Sequence, residues 1–385
     1  MRDSRPHPQI PTHVFPAVFF AMFTCRIGSF NELEQHRGQP SWRRWLGKSD
    51  LPSADELAYV SERIDVADLR ADLGNIYTRL KRNKVLAPRR GWALGAVDGH
   101  EINSSYKRCC EHCLKREIEV NGEIRTQHYH RLVAFQIIAG DFNLMLDLEM
   151  LLPGDDEVAA ALRLLARVLE NHPRCFDVLV ADAIYLRPSM LDFIRDHDKH
   201  LIAVLKANQP ELLLEVETLM APEGPTLIKR EKPPQSIELR DMEGFTTGTI
   251  TEAVRVVWSH EETLLRERVA GEWREREVVS DWLWATTMEQ SLAPPEIVAG
   301  LGHDRWKIEN EGFNELVNQW HANHYYHHHS NSIITLWLML FMAHAVFHCF
   351  QRRNLAPEKR KAHTAIHIAE QIAASLRAEN WWPPP

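Results

Sequence analysis

The sequence predicts an α/β protein whose central layer contains both antiparallel and parallel strands. Between residues 91 and 207, short apolar runs and amphipathic helical patterns alternate in the order strand, strand, strand, helix, strand, helix, strand. Residues 1–90 have mostly helical patterns, and a β-rich block separates the α/β layer from a second helical region that begins near residue 296. We therefore expect a sheet-based core with helical regions before and after it.

The composition limits the class of protein. The 385 residues leave room for two or three domains, and a hydrophobic content of 44% excludes a disordered chain. The formal net charge of −8 gives no global argument for nucleic-acid binding, so any basic surface must be local. Six cysteines do not make a disulfide scaffold at this length and indicate cytosolic thiols or metal ligands.

Two apolar runs have the appearance of targeting or membrane segments. Residues 14–23 lack a small-residue cleavage site. Residues 333–350 approach the length of a spanning helix but contain His344, His348 and Cys349. We expect a buried helix there and no membrane segment.

The N-terminal region contains one clear helix start and one basic stretch. Ser53 is the predicted N-cap of a helix with Asp55 and Glu56 in its first turn. Between residues 79 and 90 there is no acidic residue, and the basic residues are Arg79, Lys81, Arg82, Lys84, Arg89 and Arg90. This stretch is either a solvated linker or a segment that contacts phosphates, because clustered cations gain from counterion release.

The elements after residue 91 follow from short apolar runs and helical spacing. Strands are predicted over residues 92–97, 130–139, 142–150, 176–180 and 201–205, and helices over residues 155–170 and 188–197. The four prolines of residues 221–236 predict a linker, and strands are expected over residues 249–258 and 278–287. Helical pattern then continues to about residue 350 and is followed by a polar, basic tail.

Two aspartates follow apolar strands. Asp98 and Asp182 lie where the first and fourth predicted strands end, at the rim of the sheet where α/β proteins bind ligands. Either one alone is also typical of a turn residue. If the two strands are neighbours, both carboxylates come within reach of one hard cation such as Mg²⁺.

A third acid is offered by a later helix. Arg305 and Glu309 are four residues apart and share a helix face, although such a pair alone is also typical of a surface salt bridge. Glu311 lies about 200° around the helix from Glu309 and does not share that face, so Glu309 is preferred.

These residues occur in motifs that resemble a known family. The motifs are Ala-Val-Asp98-Gly, Ala-Asp182-Ala-Ile-Tyr, Lys206-Ala-Asn-Gln and Arg305-Trp-Lys-Ile-Glu309. In this order they resemble the DDE transposases of bacterial insertion sequences, in the branch with a β-rich insertion before the last acid. The resemblance implies an RNase H-like catalytic core, a triad of Asp98, Asp182 and Glu309, and two bound Mg²⁺ or Mn²⁺ ions.

The resemblance also implies an activity and partners. Such an enzyme cleaves double-stranded DNA at the element's terminal inverted repeats and transfers the 3′-hydroxyl into target DNA, as a homodimer in the synaptic complex. A bacterial cytoplasmic, nucleoid-associated location would follow. Gly302 and Leu316 stand where the family's helix signature has Tyr and Lys, so those two DNA-contacting roles are not carried over.

The expected organisation has five parts. These are a helical DNA-end-binding region (1–90), the first part of the core (91–207), a β-rich insertion (208–292), the catalytic and C-terminal helices (293–350) and a polar tail (351–385). The residues expected to contact DNA are Lys81, Arg82, Lys84, Trp282, Trp284 and Arg305. For the tryptophans, packing within the sheet is the alternative.

Two histidine-containing patterns suggest metal binding. His321, His324 and His328 would share one helix face, where a polar, DNA-facing or packed surface is favoured over a metal site. The dipeptide Asn121-Gly122 predicts a β-hairpin with a two-residue loop. In such a hairpin, the residue numbers of two cross-strand partners sum to 243.

In that hairpin register, Cys113 faces His130 and Lys115 faces His128. Together with Cys110, the residues Cys113, His128 and His130 predict a structural, tetrahedral Zn²⁺ site. Reduced thiols beside two polar strand residues are the alternative, and a register slip of one residue would scatter the ligands.

Two other functions remain open at the level of sequence. A catalytically silent DNA-binding protein derived from a transposase would have the same fold, and so would an RNase H-like nuclease without strand transfer. The intact acidic triad argues against the silent protein.

Overall fold

The computed structural model describes residues 1–231, 235–269 and 271–377. Within these ranges the protein is α/β, as predicted, with one mixed sheet of ten strands. The apolar runs of the sequence form the central strands and, together with the helices on them, the hydrophobic core.

Five helices precede the sheet. They are α1 (Val14–Thr24), α2 (Phe30–Glu34), α3 (Pro40–Trp45), α4 (Ala54–Ser61) and α5 (Val66–Arg82). The predicted cap of α4 is confirmed: Ser53 Oγ accepts a hydrogen bond from the Glu56 N–H, and Glu56 accepts one from the Ser53 N–H. The last turn of α5 contains Arg79, Lys81 and Arg82, which are half of the basic residues predicted as a linker or phosphate-contacting segment. Positive charge is favoured there by the helix dipole.

The strands of the sheet follow the predicted order with additions. They are β1 (Leu94–Ser105), β2 (Leu114–Val120), β3 (Glu123–Ile138), β4 (Asn143–Met150), β5 (Val178–Ala181), β6 (His200–Val204), β7 (Leu227–Glu231), β8 (Gln235–Phe245), β9 (Val254–Val269) and β10 (Glu272–Thr286). The core order is β4-β3-β1-β5-β6, in which β1 is antiparallel to β3 and parallel to β5. This mixed order is the RNase H-like arrangement that the resemblance implies.

The β-rich insertion extends the same sheet. β10 pairs with β6, and β9, β8 and β7 follow outward. The predicted linker at residues 221–236 was wrong in part, because it contains β7 and the start of β8. Its residues 232–234 lie outside the described residues.

The first strand does not end at Asp98 as predicted. β1 continues to Ser105 because the longer strand β3 pairs with it as far as His128, and Asp98 pairs with Ala134 within the antiparallel ladder. A continuous apolar run appears in the sequence only where both faces of a strand are buried. The outer part of β1 is half exposed, so the sequence pattern did not reveal it.

The remaining helices pack on the sheet and on one another. They are α6 (Glu157–Asn171), α7 (Pro188–Asp196), α8 (Pro210–Met220), α9 (Pro295–Asp304), α10 (Asn314–Trp320), α11 (Ser330–Cys349), α12 (Pro357–Ala362) and α13 (Ala365–Arg377). The helix α8 was not predicted. Its buried Leu212, Val216 and Met220 are spaced by four residues, which is the signal that could have identified it.

The long apolar helix is a core element. Within the described residues, one helix, Ser330–Asn354, is long and apolar enough to cross a membrane, and 72% of its most apolar window is buried inside the protein. It packs against α1, α5 and β4. Beyond it, the segment predicted as a polar tail forms α12 and α13, and Ile368, Ala369 and Ala373 of α13 are buried.

The histidine-rich run is not helical, contrary to the prediction. The helix α10 ends at Trp320, and His321 adopts a left-handed conformation with φ of 58°. Residues 321–329 then form a loop before α11. His321, His324 and His328 therefore do not share a helix face.

Candidate active site

The two aspartates come together through strand register. Val97 of β1 pairs with Ala181 of β5 in the parallel ladder. Asp98 and Asp182 are the residues that directly follow this pair, so they occupy equivalent positions on neighbouring strands. The two strands are neighbours, which is the condition that the sequence set for both carboxylates to reach one cation.

The segment that carries the third acid faces this pair. After α9 the chain forms one turn of π-helix, Ile308–Phe313, a distortion that is frequent at functional sites. Glu309 lies at its start and forms an ion pair with Arg305. Glu311 points elsewhere, because its carboxylate accepts a hydrogen bond from Asn143 Nδ2 at 2.6 Å.

Arg305 lies inside the cluster. Its residue is 5% exposed, and one guanidinium nitrogen contacts Glu309 and lies 3.9 Å from Asp98 Oδ2. Arg305 was expected to contact DNA, but the structure places its charge among the acids.

The two aspartates differ in their electrostatics. Burial and the repulsion from Glu309 raise the pKa of Asp98 to about 7. Burial also opposes ionisation of Asp182, but the hydrogen bond from Lys206 Nζ at 2.8 Å, a hydrogen bond from the Ala183 backbone and the charges of Lys206 and Arg305 together outweigh it and lower the pKa of Asp182. Asp182 is therefore held ionised, whereas Asp98 keeps its proton until the pH approaches neutrality.

The donor set fits a divalent cation. Carboxylate oxygens are the ligands that Mg²⁺ prefers, and the negative charge of Glu309 adds to the burial that raises the pKa of Asp98 despite the nearby Arg305. Among the described residues, Asp98, Asp182 and Glu309 do not form a group whose oxygens all lie within 4.8 Å of one another.

Glu157 is a fourth acid at this site that the sequence did not indicate. It is 7% exposed at the start of α6, ion-pairs with Arg131 at 2.6 Å and accepts a hydrogen bond from the Tyr185 hydroxyl at 2.8 Å. A Cβ atom on Gly99 would collide with the Glu157 carboxyl, so the glycine after Asp98 leaves room for it. That glycine is the one local signal for this contact.

The Lys206-Ala-Asn-Gln motif holds the turn after Asp182. Asn208 Nδ2 donates to the Ala183 carbonyl at 2.8 Å, and Gln209 Nε2 donates to the Leu186 carbonyl at 2.7 Å. Both bonds fix the short 3₁₀ turn Ala183–Tyr185. The motif thereby positions Asp182 by fixing the turn that follows it.

Packing explains why two positions of the family's helix signature differ. A Cβ atom on Gly302 would lie 2.5 Å from the Trp284 ring, so a tyrosine does not fit there. Leu316 is fully buried, where a lysine would lose its hydration.

The predicted DNA-contacting tryptophans have different environments. Trp284 is 1% exposed and cannot stack on a base in this conformation. Trp282 is half-buried and packs edge-on against Trp306, with ring centroids 4.7 Å apart.

The basic stretch has two parts. Arg89 forms a bidentate pair with the buried Asp304, at 2.7 and 2.8 Å. Lys81 Nζ donates to the Arg174 carbonyl at 2.5 Å. The side chains of Arg82 and Lys84 are exposed, so these two are better placed to meet a phosphate.

The predicted zinc ligands come together with one exchange. Cys110, Cys113 and His130 form a group whose fourth member is His328, not His128. The hairpin register is confirmed, because Lys115 pairs with His128 and partner numbers sum to 243. His128 and His130 are two residues apart in β3, and two residues along a strand span roughly 6.6 Å. His128 therefore lies too far along the strand to join the group that contains His130.

A second group of potential ligands is explained by hydrogen bonding. Glu315 Oε1 accepts hydrogen bonds from His348 Nε2 at 2.7 Å and from Trp320 Nε1 at 3.2 Å. Burial opposes ionisation of Glu315, but the neighbouring His344 and His348 hold its pKa far below the usual range. We interpret this group as a satisfied buried carboxylate that ties α10 to α11.

One comparison with known proteins identifies a family. A family model described as "Transposase DDE domain" matches residues 122–346, which is more than half of the chain. No curated protein matches the chain. The matched residues include Asp182 and Glu309 and begin after Asp98.

Proposed function

Because the chain belongs to the transposase DDE domain family, we propose that it cleaves DNA at the ends of an insertion sequence and joins the freed 3′-hydroxyl to target DNA. The observation that carries this proposal is the equivalent placement of Asp98 and Asp182 on neighbouring parallel strands, facing Glu309.

In the proposed site, Asp98, Asp182 and Glu309 hold two Mg²⁺ or Mn²⁺ ions. Such ions supply activation of the attacking oxygen and stabilisation of the leaving oxygen in phosphodiester transfer. Lys206 keeps Asp182 ionised, and half of its side chain is exposed, so it is also placed to meet a phosphate. Arg305 orients Glu309 and limits the repulsion between the acids.

We propose that the N-terminal helical region, residues 1–90, binds the ends of the element. The exposed Arg82 and Lys84 support this role, because each phosphate contact releases counterions. Trp282 in the β-rich insertion, residues 208–292, is the aromatic residue proposed to meet an unstacked base. A homodimer in the synaptic complex and a bacterial cytoplasmic, nucleoid-associated location belong to the same proposal.

One assay tests strand transfer against simple nuclease activity. Purified protein, Mg²⁺, a pre-cleaved element end and a supercoiled target should yield joined product. Asp182→Asn serves as the control, because it removes a proposed ligand at little change in volume. Nicked target without joined product would assign the protein to the nucleases, and end binding without cleavage in Mg²⁺ or Mn²⁺ would assign it to the silent DNA-binding proteins.

A further inference from the structure

Four metal-ligating side chains meet away from the carboxylate site. Cys110 and Cys113 precede β2, His130 lies within β3, and His328 comes from the loop between α10 and α11. Cys113 is 3% exposed and His130 is 1% exposed. Three separate parts of the chain thus supply ligands to one largely buried point.

The distances between these atoms match a tetrahedron. With Zn–S bonds of about 2.3 Å and Zn–N bonds of about 2.0–2.1 Å, tetrahedral geometry requires roughly 3.8 Å between sulfurs, 3.5 Å between sulfur and nitrogen and 3.3 Å between nitrogens. The two Sγ atoms are 3.7 Å apart, and the two Nε2 atoms are 3.3 Å apart. Three Sγ to Nε2 distances are 3.2, 3.4 and 3.5 Å.

Neither a disulfide nor hydrogen bonding alone fits this geometry as well as a metal ion does. The cysteines are free thiols at a non-bonded distance, so no disulfide accounts for the group. Without a metal ion, the Nε2 atoms of His130 and His328 would face each other, and both would also face Cys113 Sγ. Each ring nitrogen carries at most one proton, so donors and acceptors cannot all be matched in this arrangement. The Cys110 N–H also approaches Cys113 Sγ at 3.3 Å, a contact that stabilises a thiolate ligand.

We propose that Cys110, Cys113, His130 and His328 bind one Zn²⁺ ion that joins the β2–β3 hairpin to the loop between α10 and α11. All four positions are supplied by the protein, which is typical of a structural site. Soft sulfur ligands with imidazole nitrogens favour zinc over Mg²⁺.

The link has a consequence for the carboxylate site. The same loop contacts β1, because Asn323 Oδ1 lies 3.2 Å from His100 Nε2. His100 follows Asp98 by two residues and stacks on Phe313, which ends the π-turn that begins beside Glu309. Zinc at His328 would therefore fix the loop that bridges the strand of Asp98 and the helix of Glu309.

This inference does not depend on the transposase function, and metal analysis tests it directly. Protein purified without a His-tag should contain one zinc per chain. His328→Ala should lose most of that zinc during dialysis against EDTA, whereas the matched control His128→Ala should keep it. Equal retention in His328→Ala and wild type, or less than half a zinc per wild-type chain, would overturn the proposal.

A second measurement tests the link itself. Because Cys110→Ser with Cys113→Ser can prevent folding, the wild-type protein is compared with and without chelator by hydrogen–deuterium exchange. Metal removal should increase exchange in both residues 107–131 and residues 321–329, and added Zn²⁺ should restore protection in both. An increase confined to the hairpin would refute the link to the loop.

Discussion

Arg305 places one guanidinium nitrogen in contact with Glu309 and 3.9 Å from Asp98 Oδ2. Because this side chain is buried, its charge acts on the acids with little screening by water. Arg305 is thus the counter-charge of the acidic cluster.

Replacing this counter-charge should change the pH profile of the enzyme. In Arg305→Gln, the pKa of Asp98 should rise further above its present value of about 7, and the pH at which cleavage becomes half-maximal should rise with it. Arg305→Lys keeps the charge and should stay close to wild type. The measurement is the rate of end cleavage from pH 6 to 9 at saturating Mg²⁺, and an unchanged profile in Arg305→Gln would contradict the assigned role.

The triad prediction separates chemistry from DNA binding. Asp98→Asn, Asp182→Asn and Glu309→Gln should each abolish end cleavage while leaving end binding largely intact, because these residues are proposed to hold metal. Glu311→Gln is the matched control, since its carboxylate faces Asn143 instead. Cleavage and gel-shift assays decide, and normal cleavage by any triad variant would show that its residue is misassigned.

Asp98 should make the metal-free protein less stable as pH rises. Its pKa is about 3.9 in an unfolded chain and about 7 in the folded protein. The stability that protonated Asp98 contributes is therefore fully present below pH 4 and is lost as the pH rises through 7. The loss in the free energy of unfolding is a few kcal/mol at most, at about 1.4 kcal/mol for each pKa unit.

Asp98→Asn should remove this dependence and raise the melting temperature at pH 8. The measurement is thermal unfolding in EDTA between pH 5 and pH 8. In parallel samples with Mg²⁺ in place of EDTA, the metal should stabilise the wild type more at pH 8 than at pH 6. If Asp98→Asn were less stable than wild type at pH 8, the ionised Asp98 carboxylate would not be destabilising the fold there.

End binding should depend on salt through the exposed cations of α5 and the turn after it. Reversing the charge of Arg79, Arg82 and Lys84 should flatten the plot of log K against log salt, by about 0.9 for each lost phosphate contact. The control reverses three charges on α12 instead, at Lys359, Arg360 and Lys361. Equal slopes for wild type and the α5 variant would leave this stretch as a solvated surface.

Two glycines of α9 should respond oppositely to alanine. In Gly302→Ala the new Cβ meets the rigid Trp284 ring at 2.5 Å, so a loss of about 1–3 kcal/mol is expected from overpacking. In Gly300→Ala it meets only the flexible end of Arg90, and improved helix propensity should make the change neutral or stabilising. Urea unfolding of both variants checks the contrast.

Much of the fold was predictable because local patterns encode burial. Residues 178–180 and 201–205 are apolar on both faces, so they identified the central strands β5 and β6, although the exposed Asp177 lies inside the predicted run 176–180. The strand β7 and the start of β8 escaped prediction because the prolines of residues 221–236 indicated a linker.

The sequence by itself determined the elements whose signals are local. The Asn121-Gly122 turn set the hairpin register, because a two-residue loop leaves only one pairing. The aspartates after β5 and within β1 were visible because each directly follows an apolar run and the two occur together.

Only the tertiary structure decided which distant side chains meet. His328 replaced His128 in the group with the cysteines, Arg305 turned inward, and Glu157 joined the acids. Each contact joins segments that are close only after the sheet and helices have packed. Sequence periodicity reports which face of an element is buried, but it carries no information about which residue of another element covers that face.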